Sequence, residues 1–465
     1  MKRILQSALL VALAACHVPQ KRTLAQAQAP VAWSAPEANA AEPDFAWWGS
    51  FGDPVLEALV RESATTNLDV ELALSRVREA RALYRAAGGS LEPQVNLAAA
   101  YTRESPSRNT AQGRFTQEGD LWQAGFDASW ELDFFGRNAA QVGAARAELA
   151  AAESGLAGAR LTLVSELARE YVALRGSERQ LEVLRANAAL QRDTLELTRS
   201  RQQAGLATGL DEARAEAQLA STEALIPSLE AERRASQQRI AVLLGRAPES
   251  LPEGLESARP LPDAPEALAA GTPAELLRRR PDIAAAEHTL ERYQELARSA
   301  EADLYPRITL HASVGQQSSE FQSALDGASR AWSIGPSVVL PIFDRGTLRA
   351  LAHAADERAR QALIIWQKTV LGAFAEVEQS LTEVARERER QQKLVEALAA
   401  SERSLGYANE LHARGLVDFF QVIDAQRTRL VADSELAQSR TALSQKTVAL
   451  YKALGGGWQA PADAR

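Results

Sequence analysis

Four short segments of the chain alternate between apolar and polar side chains, at residues 93–103, 120–133, 306–317 and 331–343. In the second segment Trp122, Phe126 and Trp130 share one parity, whereas Asp127 and Ser129 share the other. Alternation of this kind predicts β-strands with one apolar and one polar face. Each run has roughly the 9 to 11 residues that a tilted strand needs to cross a bilayer. A small soluble sheet packed on helices is the alternative.

Two long segments follow a different period. From residue 138 to about residue 201 the chain has no proline, and Leu149, Leu156 and Leu163 recur once per heptad before the spacing resumes at Leu167. In the second half, apolar positions from residue 370 to residue 384 alternate steps of four and three. This spacing predicts very long helices packed along neighbouring helices, with local changes of supercoil.

Glycine and proline mark where these helices end. Each long helix is predicted to turn back near Gly205 or Gly415 and to return to about Leu244 or Leu454. Pro227 lies inside the first return segment, and because proline removes a helical hydrogen bond we expect a kink there.

The same order of elements occurs twice. Asp69 and Asp282 open similar helical segments that end at Pro93 and Pro306, and the two aspartates are as far apart in the chain as the two prolines. Further on, the Gly-Leu pairs at 205–206 and 415–416 have a separation that is only slightly shorter. A spacing that is kept so closely over this length indicates an internal duplication.

The duplication predicts the domain boundaries. A first repeat spans residues 46–245 and a second spans 274–457, with a proline-rich linker at 246–273 and a tail at 458–465. Each repeat contributes two strands. Four strands are too few to close a membrane barrel, because the smallest barrels use about eight. A barrel would therefore be shared between several chains, and the number of copies stays open.

The N-terminus has the pattern of a targeting signal. Lys2 and Arg3 precede a short apolar stretch that ends at Cys16, the one cysteine of the chain. The prediction is a signal peptide at 1–15 followed by lipidation of Cys16, and an ordinary signal peptide that ends near a cysteine is the alternative. Residues 16–45 are predicted to be a lipidated, flexible tether. His17 in place of an aspartate favours the outer membrane.

Composition excludes several function classes. A net charge of −8 argues against nucleic acid as a partner. The five histidines are scattered, and the chain has no nucleophile elbow, phosphate-binding loop or dinucleotide motif. We therefore expect no enzyme, no cofactor and no metal site.

A set of motifs resembles one known family. The motifs are Trp47-Trp48-Gly49-Ser50-Phe51-Gly52-Asp53-Pro54, Phe134-Phe135-Gly136-Arg137, Arg279-Arg280-Pro281-Asp282-Ile283, Pro341-Ile342-Phe343-Asp344-Arg345-Gly346 and the run 415–427. With them, nearly everything after Cys16 resembles outer-membrane efflux channels of the TolC/OprM type. The similarity is to the NodT-like lipoprotein branch, which serves resistance-nodulation-division (RND) pumps.

The resemblance implies a mainly α protein with a membrane β-barrel portion. Three chains would each give four strands to a 12-stranded barrel continuous with a long periplasmic α-helical barrel. The implied partners are two further copies in a homotrimer, a periplasmic membrane-fusion adaptor, an inner-membrane RND pump and outer-membrane lipid. The implied function is a passive exit duct for small molecules.

The resemblance also implies a gate at the periplasmic helix tips. Matching the motifs places Phe420 and Asp424 at this gate, with Asp418 and Arg427 nearby and Asp211 as the first-repeat member. Three copies of a carboxylate would bring like charges together and make the seal sensitive to cations and pH. The structural alternatives are a helix-tip salt bridge for Asp424 and core packing for Phe420.

The turns at the tips have two interpretations. Gly205, Leu206, Gly415 and Leu416 either contact the adaptor or serve only to form the turns. Two other functions also remain open. The same architecture could serve protein secretion or metal export, or the chain could be a periplasmic coiled-coil lipoprotein without a pore.

Overall fold

The computed structural model describes residues 30, 32–34, 46–107, 109–111, 118–252, 254–265 and 269–457. The predicted signal peptide at 1–15, the lipidation site Cys16 and the tail at 458–465 lie outside these residues, as does most of the tether. The predictions for these segments therefore stay predictions.

Helices make up most of the described chain. In chain order they are α1 (Pro54–Thr66), α2 (Leu68–Gly88), α3 (Arg137–Gln203), α4 (Gly209–Glu223), α5 (Ile226–Leu243), α6 (Pro273–Arg279), α7 (Pro281–Ala302), α8 (Arg345–Ala413) and α9 (Phe419–Ala453). The two longest, α3 and α8, have 67 and 69 residues. Within the described ranges, no helix is both long enough and apolar enough to cross a membrane.

One antiparallel sheet contains the four alternating segments. Its strands are β1 (Gln94–Glu104), β2 (Gly119–Glu131), β3 (Arg307–Ser318) and β4 (Arg330–Val339), paired in that order. The alternation had predicted a fourth strand up to residue 343, but β4 ends at Val339. Pro341 explains the early end, because proline has no N–H to donate to a neighbouring strand.

The chain divides into two compact units. The sheet unit has its described residues in Arg76–Glu153 and Ala285–Gln367. The helical unit has its described residues in Ala27–Ser75, Ser154–Ala284 and Lys368–Arg465.

The heptad spacing marks the core of the helical unit. The buried residues with this spacing are Leu163, Leu167, Leu174, Leu181, Ala188 and Leu195 on α3, and Val370, Phe374, Val377, Leu381 and Val384 on α8. The prediction of long helices with a packed seam is confirmed from Leu163 onward on α3, whereas Leu149 and Leu156 of the predicted seam are only partly buried in the single chain. Burial of these stripes, rather than helix propensity, stabilises helices of such length.

The two return segments differ. From α8 the chain returns in one helix, α9, whereas from α3 it returns in two, α4 and α5. The helix breaks at Ala224 and Leu225, and Pro227 then lies in the first turn of α5. The predicted kink inside one helix was wrong, because a proline in the first turn of a new helix loses no intrahelical hydrogen bond.

Equivalent side chains make the same contact in the two halves. Asn67 Nδ2 donates to the carbonyl oxygen of Leu243 at 2.8 Å. By the regular spacing of the sequence, Arg280 corresponds to Asn67, and it donates through Nη1 to the carbonyl oxygen of Ala453 at 2.8 Å. Ala453 corresponds to Leu243 in the same way. Residues at corresponding positions of the two halves therefore make corresponding hydrogen bonds.

Two glycines complete this repeated contact. Gly245 and Gly455 have φ of 69° and 74°, in the left-handed region that favours glycine. A Cβ on Gly245 would overlap the carbonyl oxygen of Thr66, and one on Gly455 would lie 3.1 Å from the carbonyl oxygen of Arg279. Thr66 and Arg279 again occupy corresponding positions, immediately before Asn67 and Arg280.

A buried arginine holds the inter-repeat linker against α3. Arg175 donates through Nη1 to Glu178 Oε2 at 2.7 Å and to the Ser257 carbonyl at 3.0 Å, and through Nη2 to the Gly254 carbonyl at 2.9 Å. Its guanidinium also lies 4.8 Å from the ring centroid of Tyr171. The arginine therefore satisfies two linker carbonyls and one buried carboxylate at once.

Candidate functional site

The ends of the long helices are two turns of the same kind. The Leu206 N–H donates to the Arg201 carbonyl at 2.8 Å, and the Leu416 N–H donates to the Leu411 carbonyl at 2.9 Å. Gly205 and Gly415 follow their helices with φ of 73° and 71°. This is the Schellman pattern, which needs a left-handed residue after the helix. The two glycines therefore form the turns at the ends of the long helices.

The leucines of the turns point outward. Leu206 is 72% exposed and Leu416 is 67% exposed in the single chain. Each helix tip thus presents one large apolar side chain to its surroundings. Such a surface is available to a partner.

A histidine and an arginine join the two turns. Arg201 Nη1 and His412 Nε2 are 3.0 Å apart, and His412 Nδ1 lies 3.2 Å from the Val417 carbonyl oxygen. Since arginine can only donate, Nε2 accepts and Nδ1 carries the proton that is donated to Val417. The imidazole ring also tilts against Phe419 at 5.5 Å between centroids. One histidine therefore connects the two turns.

A cleft of about 610 Å³ lies beside this link. Its lining includes Leu206, Asp211, Asp418 and Phe420 from the predicted set. The structure thus brings residues of both turns to one place. Asp424 and Arg427 lie further along α9 and are not among the residues that line the cleft.

The two adjacent phenylalanines have different environments. Phe419 packs with Ile423 against a buried cluster formed by Ala188, Leu195, Ala215 and Leu219. Phe420 is 48% exposed, and the Arg214 guanidinium lies 5.4 Å from its ring centroid. Core packing therefore describes Phe419, whereas Phe420 keeps half of its surface in solvent.

Asp211 caps a helix. Thr208 donates to Asp211 Oδ2 through its backbone N–H at 3.1 Å and through its hydroxyl at 2.7 Å, and the Asp211 N–H donates to the Thr208 hydroxyl at 3.3 Å. This reciprocal pair is a capping box at the start of α4. The hydrogen bond from the Thr208 side chain holds the pKa of the Asp211 carboxyl below its usual value. The carboxylate is thus ionised, and its Oδ2 already accepts two hydrogen bonds from Thr208.

The two carboxylates on the second repeat are less constrained. Asp424 Oδ1 lies 3.9 Å from Arg427 Nη2 one turn later, and the two side chains are 49% and 68% exposed. A loose, exposed pair of this kind contributes little to stability. Asp418 is the N-cap residue of α9, but its side chain makes no capping hydrogen bond.

The sheet has two unlike faces. Pairing places Leu97 opposite Phe126, and Phe126 opposite Val314, on the apolar face. Trp332 continues this face on β4, and these apolar side chains are exposed in the single chain. The polar face carries Asn96, Asp127, Ser129, His311, Ser313 and Ser333. A sheet with one apolar and one polar face matches the strand pattern of membrane channels.

A family model described as "Outer membrane efflux protein" matches residues 59–246 and 272–456. The chain belongs to this family. A relative named pyoverdine export outer membrane protein OpmQ, from Pseudomonas putida, is 32% identical, with 98% of each chain covered. Nodulation protein T of Rhizobium leguminosarum bv. trifolii is 32% identical over 90% of this chain and 89% of its own. These matches confirm the family that the motifs had indicated.

A solved structure agrees with the fold. The outer-membrane channel OprN superposes with a TM-score of 0.90 at 35% sequence identity, covering 95% of this chain and 99% of that one. The protein is therefore an outer-membrane efflux protein with the fold of the TolC-type channels. Members of this family are channel and transport proteins.

Sequence reasoning missed two contacts at the site. His412 had been counted only as one of five scattered histidines, and Arg214 beside Phe420 had not been singled out. The duplication offered one signal, because its spacing matches His412 to Gln202, the neighbour of Arg201.

Among the described residues, no group of histidine, cysteine and carboxylate side chains could hold a metal ion.

Proposed function

We propose that the chain is the passive exit duct of a tripartite efflux pump and works as a homotrimer. In this proposal three chains contribute twelve strands to a closed barrel in the outer membrane. A periplasmic adaptor connects the helical part to an inner-membrane RND pump, which supplies the energy. The exported compounds are small molecules, in line with the pyoverdine export named for the relative OpmQ.

The observation that carries the proposal is the four-stranded sheet with two open edges. In the described chain β1 pairs only with β2, and β4 only with β3. Backbone N–H and C=O groups cannot stay unpaired in lipid, so both edges need further strands. Copies of the same chain supply them, and three copies give a barrel with a polar interior and an apolar exterior.

The internal duplication is part of the same proposal. The paired contacts of Asn67 and Arg280, and the paired glycines 245 and 455, support two repeats with the predicted limits 46–245 and 274–457. Two separate matches to the family model, at 59–246 and 272–456, also support the proposal. Lipidation of Cys16 would anchor the mature N-terminus in the same membrane.

We place the gate at the helix tips. Phe420 and Asp424 would narrow the duct, with Asp418, Asp211 and Arg427 around them. The half-exposed ring of Phe420 and the loosely paired carboxylate of Asp424 support these roles. Asp211 would act there as a cap that fixes the start of α4. The exposed Leu206 and Leu416, held by the turns at Gly205 and Gly415, would contact the adaptor.

Single-channel conductance in a planar bilayer tests this function. The detergent-extracted oligomer of the wild type is compared with a Phe420→Ala, Asp424→Ala double variant. We expect a small conductance that rises in the double variant. A Phe321→Ala, Asp326→Ala variant is the matched control, because it removes the same residue types from the β3–β4 loop of the sheet unit.

The possible results separate the functions. A rise with the tip variant and none with the control supports both the duct and its gate. A conductance that is equal in all three proteins keeps the duct and refutes this gate. No conductance from an intact oligomer would favour a structural lipoprotein without a pore.

A further inference from the structure

The polar face of the sheet contains a hollow that the backbone itself enforces. Gly125 lies opposite Gly315, and a Cβ on Gly125 would lie 2.7 Å from the Val314 carbonyl oxygen and 2.8 Å from Gly315 Cα. Contacts this short exclude any larger residue at the glycine pair. The neighbouring positions Ala98, Ala100 and Ala331 are also small, and together they border a hollow of about 230 Å³.

Asp127 stands at the border of this hollow. Its position on β2 is opposite Asn96 on β1 and Ser313 on β3, and its side chain is exposed. Ser313 is engaged elsewhere, because its hydroxyl lies 2.9 Å from the Ser333 hydroxyl. Asp127 itself makes no hydrogen bond or ion pair with the described part of the chain.

The other strand carboxylates have different positions. Glu131 shares the polar face, but Arg137 donates to both of its oxygens, at 3.1 Å and 2.8 Å. Asp120 lies on the opposite face, where the Tyr101 hydroxyl donates to it at 2.9 Å. Glu104 has the parity of the polar face but is the last residue of β1. Asp127 is thus the uncompensated carboxylate in the middle part of the polar face that the structure describes.

We propose that Asp127 sets the charge selectivity of the duct at the level of the sheet, so that cations pass in preference to anions. The inference rests on the proposed function, in which this face lines the conduit. Three copies would then place three negative charges around the same level of the pore. The long side chains that also line the hollow on this face, Gln123 and Gln317, are uncharged and leave the charge of Asp127 uncompensated. Charge of one sign along a confined path concentrates the opposite ions.

The residues around Asp127 leave its negative charge without a cationic partner in the described part of the chain. Among the residues that the structure describes, the one other ionisable group near it on the polar face is His311, which lies opposite Ser129. An aspartate without a cationic partner keeps its full field, which falls off over about 10 Å at 0.1 M salt and about 3 Å at 1 M salt. Selectivity should therefore be strong in dilute salt and weaker in concentrated salt.

The test is the reversal potential of single channels under a KCl gradient at a fixed neutral pH. Asp127→Asn is compared with the wild type in two backgrounds, with the native tips and with the Phe420→Ala, Asp424→Ala tips. The second background removes the tip carboxylate from the measurement. We expect the K⁺/Cl⁻ permeability ratio to fall toward one in Asp127→Asn, with the difference shrinking as the salt concentration rises.

Asp120→Asn is the matched control. It removes the same charge from the same strand but from the apolar face, so the permeability ratio should stay at the wild-type value. An unchanged permeability ratio in Asp127→Asn, or an equal fall of the ratio in Asp120→Asn, would overturn the inference. A conducting pore in these proteins would still support the proposed function. Absence of conductance in every protein would remove the proposed function and the inference with it.

Discussion

Arg201 Nη1 donates a hydrogen bond to His412 Nε2 at 3.0 Å, and this contact joins the end of α3 to the end of α8. The two residues lie in the two predicted repeats, so the contact connects two turns that are far apart in the sequence. His412 is fixed in turn by its bond to the Val417 carbonyl at 3.2 Å. If the tips separate when the duct opens, this bond must break.

Replacing His412 should therefore favour the open duct. A net hydrogen bond is worth about 1 kcal/mol, which corresponds to a roughly fivefold change in a two-state population. We expect His412→Ala to raise the open probability of single channels by about that factor for each chain of the proposed homotrimer whose tip must open. Planar-bilayer recordings of the wild type and the variant give this number directly.

Arg199→Ala serves as the control for that prediction. Arg199 Nε contacts Glu212 Oε1 at 2.9 Å, so the variant breaks an ion pair inside the first repeat only. Its open probability should stay at the wild-type value. Equal opening by both variants would mean that any loosening of the tip opens the duct, and that the contact between repeats has no special part in it.

The two phenylalanines of α9 should respond differently to truncation. Phe419 packs on a buried cluster, and loss of a core aromatic side chain costs about 3 kcal/mol. We expect Phe419→Ala to reduce the amide protection of α4 and α9 near the tip. Phe420→Ala should change protection by less than about 1 kcal/mol and should raise conductance instead.

Hydrogen exchange followed by mass spectrometry, together with bilayer recordings, measures both effects. Phe419→Leu provides the control, because it keeps an apolar side chain in the cluster and should lose less protection than Phe419→Ala. If Phe420→Ala lowers protection as strongly as Phe419→Ala, then Phe420 is a packing residue and the gate lies elsewhere.

The elements of the fold could be predicted because each has one apolar side. A strand with one apolar face repeats every second residue, and a packed helix repeats at three and four, so both periods are visible in the sequence. The break before Pro227 could not be predicted in this way. A proline is compatible both with a kinked helix and with two separate helices. Which of the two forms depends on the turn at Ala224 and Leu225.

The site was less accessible to sequence reasoning. Phe419 and Phe420 are both apolar and both lie in the first turn of α9, so periodicity cannot tell which one faces the core. The glycines of the turns were visible, since few other residues adopt a left-handed conformation. The hydrogen bond between Arg201 and His412 could not be predicted in this way. It depends on how the two predicted repeats pack, and it leaves no periodic pattern in the sequence.

The capping box of α4 should make the tip sensitive to acid. Hydrogen bonding from Thr208 lowers the pKa of Asp211 in the folded state. The cap therefore stabilises the fold fully above the ordinary pKa of aspartate, and this contribution is lost as the pH falls through the lowered folded pKa. Asp211→Ala should lose about 0.5 kcal/mol of local stability at neutral pH, and the difference from wild type should disappear in acid.

Protection factors of the first turn of α4, measured at several pH values, check this expectation. Glu212→Ala is a suitable control, since Glu212 is also acidic and in the same turn but pairs with Arg199. A difference between Asp211→Ala and the wild type that persists unchanged into acid would show that the carboxylate does not act through its charged form.

The buried Arg175 should be the most costly charge to remove from the helical unit. Without it, the Glu178 carboxylate would keep, from the described part of the chain, only the bond from the Arg259 N–H at 3.3 Å, and two linker carbonyls would lose their donor. Breaking one side of a buried pair typically costs about 3 to 5 kcal/mol, because the other charge stays buried. We expect Arg175→Met to unfold at lower temperature and to expose the linker to protease.

A double variant separates the charge from the packing. In Arg175→Met, Glu178→Leu no uncompensated carboxylate is left, so much of the lost stability should return even though the arginine is absent. Thermal unfolding of the single and double variants in detergent, with protease sensitivity of residues 246–273 as a local readout, measures this recovery. If the double variant is no more stable than Arg175→Met, the bonds to the Gly254 and Ser257 carbonyls, rather than the ion pair, hold the linker on α3.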